Sequence, residues 1–430
     1  MTALATTPSP APATDEVRTV AVVSRKAPIA FAVVTALLAL LLATQGREGS
    51  TNFRFSAEGD LVRIPDMAVP GMPLAWVSVV VLAVLTAVAF WLVRAARRIP
   101  TWLTLLFVLV AFVAFLAWAG AGSDRDFPVV RLIGGAVLLA VPIVFGALGG
   151  VIGERAGVVN IAIEAQLLAG AFSAAVAGSV TGSPWVGLVA AVVAGVLVAL
   201  VLGLFTITHK VNQVIVGVVL NVLVLGITSF LYSQVLVPNA ALNETTRFSR
   251  ISIPLLSDIP VVGPALFEQT IVVYLMYLTV LAVWFALYRT RWGLRVRAVG
   301  EHPKAADTVG IKVERTRYRA LMIAGAVAGL GGAFYTVVSV SSFGKNMTAG
   351  AGFIALAAVI FGKWDPVRAA LAALLFGFAS NLEGALSVVG APVPSQFMLM
   401  LPYVVTLLAV AGLVGRSRAP AADGEPYVKE

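Results

Sequence analysis

Cysteine is absent from all 430 residues, which excludes disulfides, thiol catalysis and cysteine-ligated zinc. Histidine is nearly absent too: His209 and His302 are the only imidazoles, so most metal and redox chemistry has no ligands to work with. Charge is scarce at 12% of residues, and acids are outnumbered by bases, 21 to 30. No carboxylate pair stands within an apolar run, as a membrane protease or a proton relay would need. The G-x-x-x-x-G-K-[ST] phosphate loop and the H-E-x-x-H zinc motif are both missing. The chain therefore carries no readable catalytic constellation and no metal site, and any ATP it depends on must be hydrolysed by another chain.

Apolar residues are what it does have. At 60% hydrophobic and a mean hydropathy of +0.96, a soluble fold would leave large apolar areas in water. An all-α polytopic membrane protein is the expectation. Runs near the ~20 residues that cross ~30 Å of hydrocarbon fall at 28–44, 73–93, 101–120, 129–150, 160–180, 184–207, 213–236, 269–288, 318–340, 366–388 and 395–414. A further run, 351–362, is too short to span on its own. The count is thus 10–12 helices. Cations gather at one set of run ends: Arg94, Arg97, Arg98, Arg155, Lys210, the segment after Arg289, Lys363, Arg368, Arg416 and Arg418. Cytoplasmic loops attract Lys and Arg, so twelve crossings with both termini in the cytoplasm satisfy the pattern if 351–362 crosses or nearly crosses. The long loops 45–72 and 237–268 then lie outside. Because the cations lack interleaved aromatics, the basic balance reflects loops in contact with membrane lipid, and no nucleic acid is implied. Residues 1–27, rich in Pro, Ala and Thr, read as a disordered cytoplasmic N-terminus, and 416–430 as a cytoplasmic tail.

Local signals refine the boundaries. Ser183-Pro184 and Asp365-Pro366 each set a capping side chain before a proline at the first helical position. Gly146-x3-Gly150 and Gly325-x3-Gly329 permit close helix approach, and Pro142 sits inside the fourth run.

Two stretches stand out. Arg289–Arg319 sets nine cations against Glu301, Asp307 and Glu314, a net +6 within the chain's +9. Its centre, Glu301 to Gly310, reads as a small helix, with Glu301 near the N-terminal end, Pro303 in the first turn and Gly310 as the stop. Such a helix is a handle for a soluble partner; a plain topology-setting loop is the simpler alternative. The second stretch holds Glu154, Arg155, Asn160, Glu164 and Gln166, with Asn221 in a later run and Asn381 and Glu383 near the outer end of another. Polar groups inside spans are costly and face the bundle interior. Glu154 and Arg155 suggest an interfacial ion pair. Asn160 and Glu164, four apart, are expected on one helical face with Leu167 continuing it, where they could line a pathway or merely hold helices together.

These segments resemble the permease subunits of bacterial ABC importers in the branched-chain amino acid and ribose permease superfamily, nearest to its nucleoside branch. The likeness is carried by Gly153-Glu-Arg-Ala-Gly-Val-Val-Asn-Ile-Ala-Ile-Glu164, Gly300-Glu-His-Pro-Lys-Ala-Ala-Asp-Thr-Val-Gly-Ile311, Ala324 to Gly332, and Gly350-Ala-Gly-Phe-Ile-Ala-Leu-Ala-Ala-Val-Ile-Phe-Gly362. It covers about 128–415 and leaves 28–127 as extra N-terminal helices. Ala162 and Ala165 stand where the family usually has glycine, and His302 where it often has Asn. The resemblance implies a multi-pass subunit of the bacterial plasma membrane, a second related permease, ATPase subunits that bind ATP and magnesium, and an extracellular substrate-binding lipoprotein. It implies a pathway near Asn160, Glu164, Gln166 and Asn221. It also implies coupling to the ATPase through Glu301, His302, Pro303, Lys304, Ala305, Ala306, Asp307 and Gly310, with Ala305 and Ala306 small enough to enter a groove. An ion-gradient-driven secondary transporter is the alternative; it needs ionisable groups near the midplane and paired broken helices, and central acids are few.

Overall fold

A computed structural model describes residues 25–56, 63–391, 393, 396–397, 400 and 418–429. The expected disordered N-terminus lies outside these residues apart from positions 25–27, and so does the run 395–414 apart from three positions. Long apolar helices dominate, and among the described residues ten are long and apolar enough to cross a membrane. The chain is an all-α polytopic membrane protein in which a few short strands serve as connectors.

Two compact units divide the described residues: those up to Thr51 with those of Ala68–Ser123, and those of Asn52–Met67 with those from Asp124 on. Helix α1 (Lys26–Thr44) leads through strands β1 (Ser50–Arg54) and β2 (Met67–Pro70) to α2 (Gly71–Arg94) and α3 (Thr101–Ala119). In the first unit Phe31 stacks on Phe107 at 4.0 Å, beside buried Leu82, Ala89 and Leu103. The link after α1 is tied down because Trp118 Nε1 donates to the Gln45 carbonyl (2.7 Å) and Thr51 Oγ1 to that of Ala117 (2.7 Å).

The second unit opens with β3 (Phe127–Pro128), which pairs in parallel with Phe53 and Arg54. Then come α4 (Val129–Arg155), α5 (Ile163–Thr181), α6 (Pro184–Gly203) and α7 (Gln213–Leu231). A hairpin of β4 (Arg250–Ser252) and β5 (Glu268–Thr270) encloses the short α8 (Val262–Phe267) and feeds α9 (Ile271–Arg289). After α10 (Arg291–Glu301) and α11 (Pro303–Thr308), α12 (Val313–Phe334), α13 (Ala351–Phe361) and α14 (Pro366–Val389) complete the bundle. Turns of π-helix extend α6, α7 and α12 to Thr208, Leu236 and Val340.

Helix α4 is the axis of this unit: its lining from Ala140 to Glu154 is buried without a break. A helix buried all round must be apolar all round, which is why its sequence shows no amphipathic stripe. Small residues let α6 and α12 touch backbone to backbone, since a methyl group added at Gly325 would lie 2.4 Å from the Gly195 carbonyl oxygen and one at Gly329 2.3 Å from that of Ala191. The expected close approach at Gly325-x3-Gly329 is therefore realised. At 11 residues α13 rises only about 16 Å and does not cross alone. Of the two expected caps, the Asp365 carboxylate accepts from Arg368 N (3.0 Å), whereas the Ser183 side chain makes no capping bond.

The basic segment departs most from expectation. It is not a loop around one small helix but α10, α11 and the first two turns of α12. Gly293, Val296, Val299 and Gly300 form the buried side of α10, and a methyl on Gly300 would lie 2.2 Å from the Arg155 carbonyl. So α10 rests on the end of α4, and its high polarity hid a stripe of only four residues. Glu301 accordingly ends α10 instead of opening the small helix, which begins at Pro303 after a break at His302. Gly310, with φ +84°, stops α11 as expected: its N–H reaches the Asp307 carbonyl (2.9 Å) and that of Ile311 the Ala306 carbonyl (3.0 Å).

Candidate functional site

Between α4 and α5 the chain leaves the helix for seven residues, 156–162, deep inside the bundle. Buried backbone groups need partners, and side chains from other helices supply them. Gln213 Oε1 accepts from Val159 N (2.6 Å). Asn221 bridges the break, its Nδ2 donating to the Ile161 carbonyl (2.9 Å) and its Oδ1 accepting from Ala165 N (2.9 Å). Ala162 occupies the N-cap position of α5 and cannot cap it, so α7 provides the missing acceptor through Asn221. Asn160 Nδ2 donates to Gln166 Oε1 (3.0 Å) and Gln166 Nε2 to Asn160 Oδ1 (3.3 Å), both side chains fully buried.

Glu164 closes the arrangement. Its carboxylate accepts from Thr348 Oγ1 (2.6 Å), Gly350 N (2.9 Å) and Gly352 N (2.6 Å). Those amides open α13, so the carboxylate sits at the positive end of a helix, where an anion is favoured. A methyl on Gly352 would lie 2.4 Å from Glu164 N; only glycine lets α13 approach this closely. Glu164 thus joins the starts of two interrupted helices.

The four expected pathway residues are therefore brought together, all buried, but Asn160 and Glu164 do not share the expected helical face. Asn160 precedes α5 and turns to Gln166, not to the side of Glu164. Four-residue spacing implies a shared face only inside a helix, and the break removes that premise. Gln213, Thr348, Gly350 and Gly352 were missed as partners. The signal for the glycines was their place at the start of a short apolar run. The expected Glu154–Arg155 ion pair is replaced by two separate bonds to Trp364: its indole N–H donates to Glu154 Oε2, and its carbonyl accepts from Arg155 Nε (3.0 Å). Adjacent residues on a helix do not face each other. Asn381 Nδ2 donates to the Leu132 carbonyl (2.7 Å).

At the basic end, α11 shows one face out. His302, Lys304, Ala305, Thr308 and Val309 are exposed, Val309 at 75%, whereas Ala306 is buried at 4%. Ala306 packs with Val299, Val313 and Tyr427 of this same chain, so its expected entry into a partner's groove is corrected: it faces inward. The tail also reaches the break, because the Ala422 carbonyl and the Arg317 guanidinium both crowd Gly157. Burial pushes the Asp423 carboxyl up to about 7, against the opposing pull of the Arg317 guanidinium and the Gly424 amide.

At the other end of α4, about 40 Å away, a cavity of about 1250 Å³ opens among Arg54, Arg125, Arg131, Arg250, Asp258 and Glu268. Among the described residues no cluster of metal-ligating side chains occurs.

Known proteins give this geometry a context. The guanosine ABC transporter permease protein NupQ of Bacillus subtilis is 41% identical over 307 residues, covering 68% of this chain and 95% of the relative. The nucleoside ABC transporter permease protein NupC of Lactococcus lactis is 36% identical over 311 residues, 69% of this chain and 96% of the relative. The putative glucose ABC transporter permease protein TsgC13 of Haloferax volcanii is 38% identical over 256 residues, 59% and 76% respectively. No solved structure matches the chain. A family model described as branched-chain amino acid transport system, permease component, matches residues 132–410, which include the break, α13 and the basic segment. The chain belongs to that family of ABC transporter permeases, as a non-enzymatic, multi-pass subunit of the bacterial plasma membrane.

Proposed function

We propose that this chain forms the membrane path of an ATP-driven importer for nucleosides. Two relatives that are aligned over more than nine-tenths of their own length are named for guanosine and nucleoside transport; this is the observation that carries the substrate class. Asn160, Glu164, Gln166 and Asn221 shape the path indirectly: their polar atoms bond to the protein, so they fix the break and the start of α13 beside which a substrate passes. Positive-inside bias puts the basic end, with both termini, in the cytoplasm. The cavity at the opposite end then faces outward, where a substrate-binding lipoprotein delivers its load. The exposed side of α11, with Ala305, Thr308 and Val309, docks on a separate ATPase that binds ATP and magnesium, and a second related permease completes the path. Names of relatives favour ATP over an ion gradient as the source of energy.

The test is uptake of radiolabelled guanosine, uridine and glucose by the assembled complex in vesicles, with the unlabelled compounds as competitors. Nucleosides should be taken up, and glucose should neither enter nor compete. Uptake of glucose with indifference to nucleosides would move the chain to the sugar branch.

A further inference from the structure

The chain's last described residues, 418–429, do not trail away from the bundle. Ala422 N donates to the Gly300 carbonyl (2.9 Å) and Ala421 N to Glu301 Oε2 (3.3 Å), tying the tail to the end of α10. Arg317 Nη1 donates to the Glu425 carbonyl (2.9 Å), tying it to the first turns of α12. Tyr427, 8% exposed, fills a seat made by Val299, Ala306 and Val313, directly behind α11. Arg317 is itself 2% exposed, a placement that a guanidinium tolerates only with partners close by. The tail supplies one of them, and Gly157 of the α4–α5 break crowds the other side of the guanidinium.

We propose that residues 420–427 are a positioning segment for the coupling helix. They form a joint in which α10–α11, the start of α12 and the break are held as one body. The inference rests on the reading of α11 as the docking element. A six-residue helix is too short to hold its own shape, so something must stiffen it from behind, and Tyr427 occupies that place. Buried contact on the inner side leaves the outer side of α11 free to meet the ATPase. Displacement of α11 is then passed through Arg317 and Gly157 to the hydrogen-bonded break. The tail acts by holding these elements in register and touches no substrate.

Removal of residues 420–430, or Tyr427→Ala, tests this in the complete complex with guanosine as the probe. Uptake, basal ATP hydrolysis and hydrolysis stimulated by loaded binding protein are measured together. Both variants should insert and assemble in wild-type amounts and keep basal hydrolysis, while stimulation and uptake fall about tenfold, within the range usual for coupling between sites. Wild-type stimulation in the truncated complex would overturn the proposal, and so would faster transport, which would make the tail a brake. A wild-type complex with no stimulated hydrolysis would instead refute the importer reading on which the proposal stands.

Discussion

Glu164 shows how a charge can be legible in a sequence while its task is not. An unpaired acid in an apolar run marks an interior site; that much was readable. Its partners, Thr348, Gly350 and Gly352, lie more than 180 residues away, and no spacing rule reaches them. Glu164→Gln keeps the shape but turns one acceptor oxygen into a donor that faces another donor. Removing a hydrogen-bond partner from a buried group costs about 1–3 kcal/mol. The purified Glu164→Gln protein should therefore melt at lower temperature and transport less, and an unchanged melting curve would remove Glu164 as the clasp of α13. Asp423 offers a second test, through pH. Docked, its carboxyl is pushed up to about 7 by burial; a released tail would have the ordinary value. The docked form thus holds the extra proton, so docking is strongest in acid and weakens as pH rises from about 4 to about 7. The charged groups facing Asp423 are Arg317 of α12 and Glu154 of α4. A spin label on Ala419→Cys should gain mobility over that interval, and Asp423→Asn should flatten the curve. Mobility that instead falls with pH would contradict the assignment.

At the scale of elements, the ten described spans were easy to find because each needs only an unbroken apolar run, and their ends fall within five residues of those read from the sequence. The basic segment was harder. Periodicity was drowned by nine cations, so α10 and the early start of α12 were read as loop. Inside–outside preference on α11 was invisible for another reason: two adjacent alanines carry no hydrophobic contrast, yet Ala305 is exposed and Ala306 is buried against Tyr427. A pair of substitutions separates the two faces. Ala306→Trp overfills an internal seat, at about 1–3 kcal/mol, and should dislodge the tail. Ala305 is exposed, so Ala305→Trp should leave the protein as stable as wild type while association with the ATPase fails. Equal loss of ATPase association and equal stability in both variants would mean that α11 does not present the face described.

For the molecule as a whole, membrane class and family were legible early, since composition fixes the first and several motifs in one order fix the second. Orientation rests on charge bias, and the natural absence of cysteine makes it open to direct test. A cysteine at Leu255, a residue 83% exposed in the loop ahead of α8, should react with a membrane-impermeant thiol reagent added to intact cells, and one at Thr308 should not. The central claim, that ATP hydrolysed by another subunit drives this path through α11, is tested most directly by guanosine uptake into vesicles holding the assembled complex. Wild-type vesicles should accumulate guanosine only with ATP on the cytoplasmic side, and replacement of residues 303–307 by glycine should abolish uptake, at about 0.5–1 kcal/mol of helix stability per ordinary residue. Uptake driven by an ion gradient without ATP, or undiminished in the glycine variant, would contradict the account.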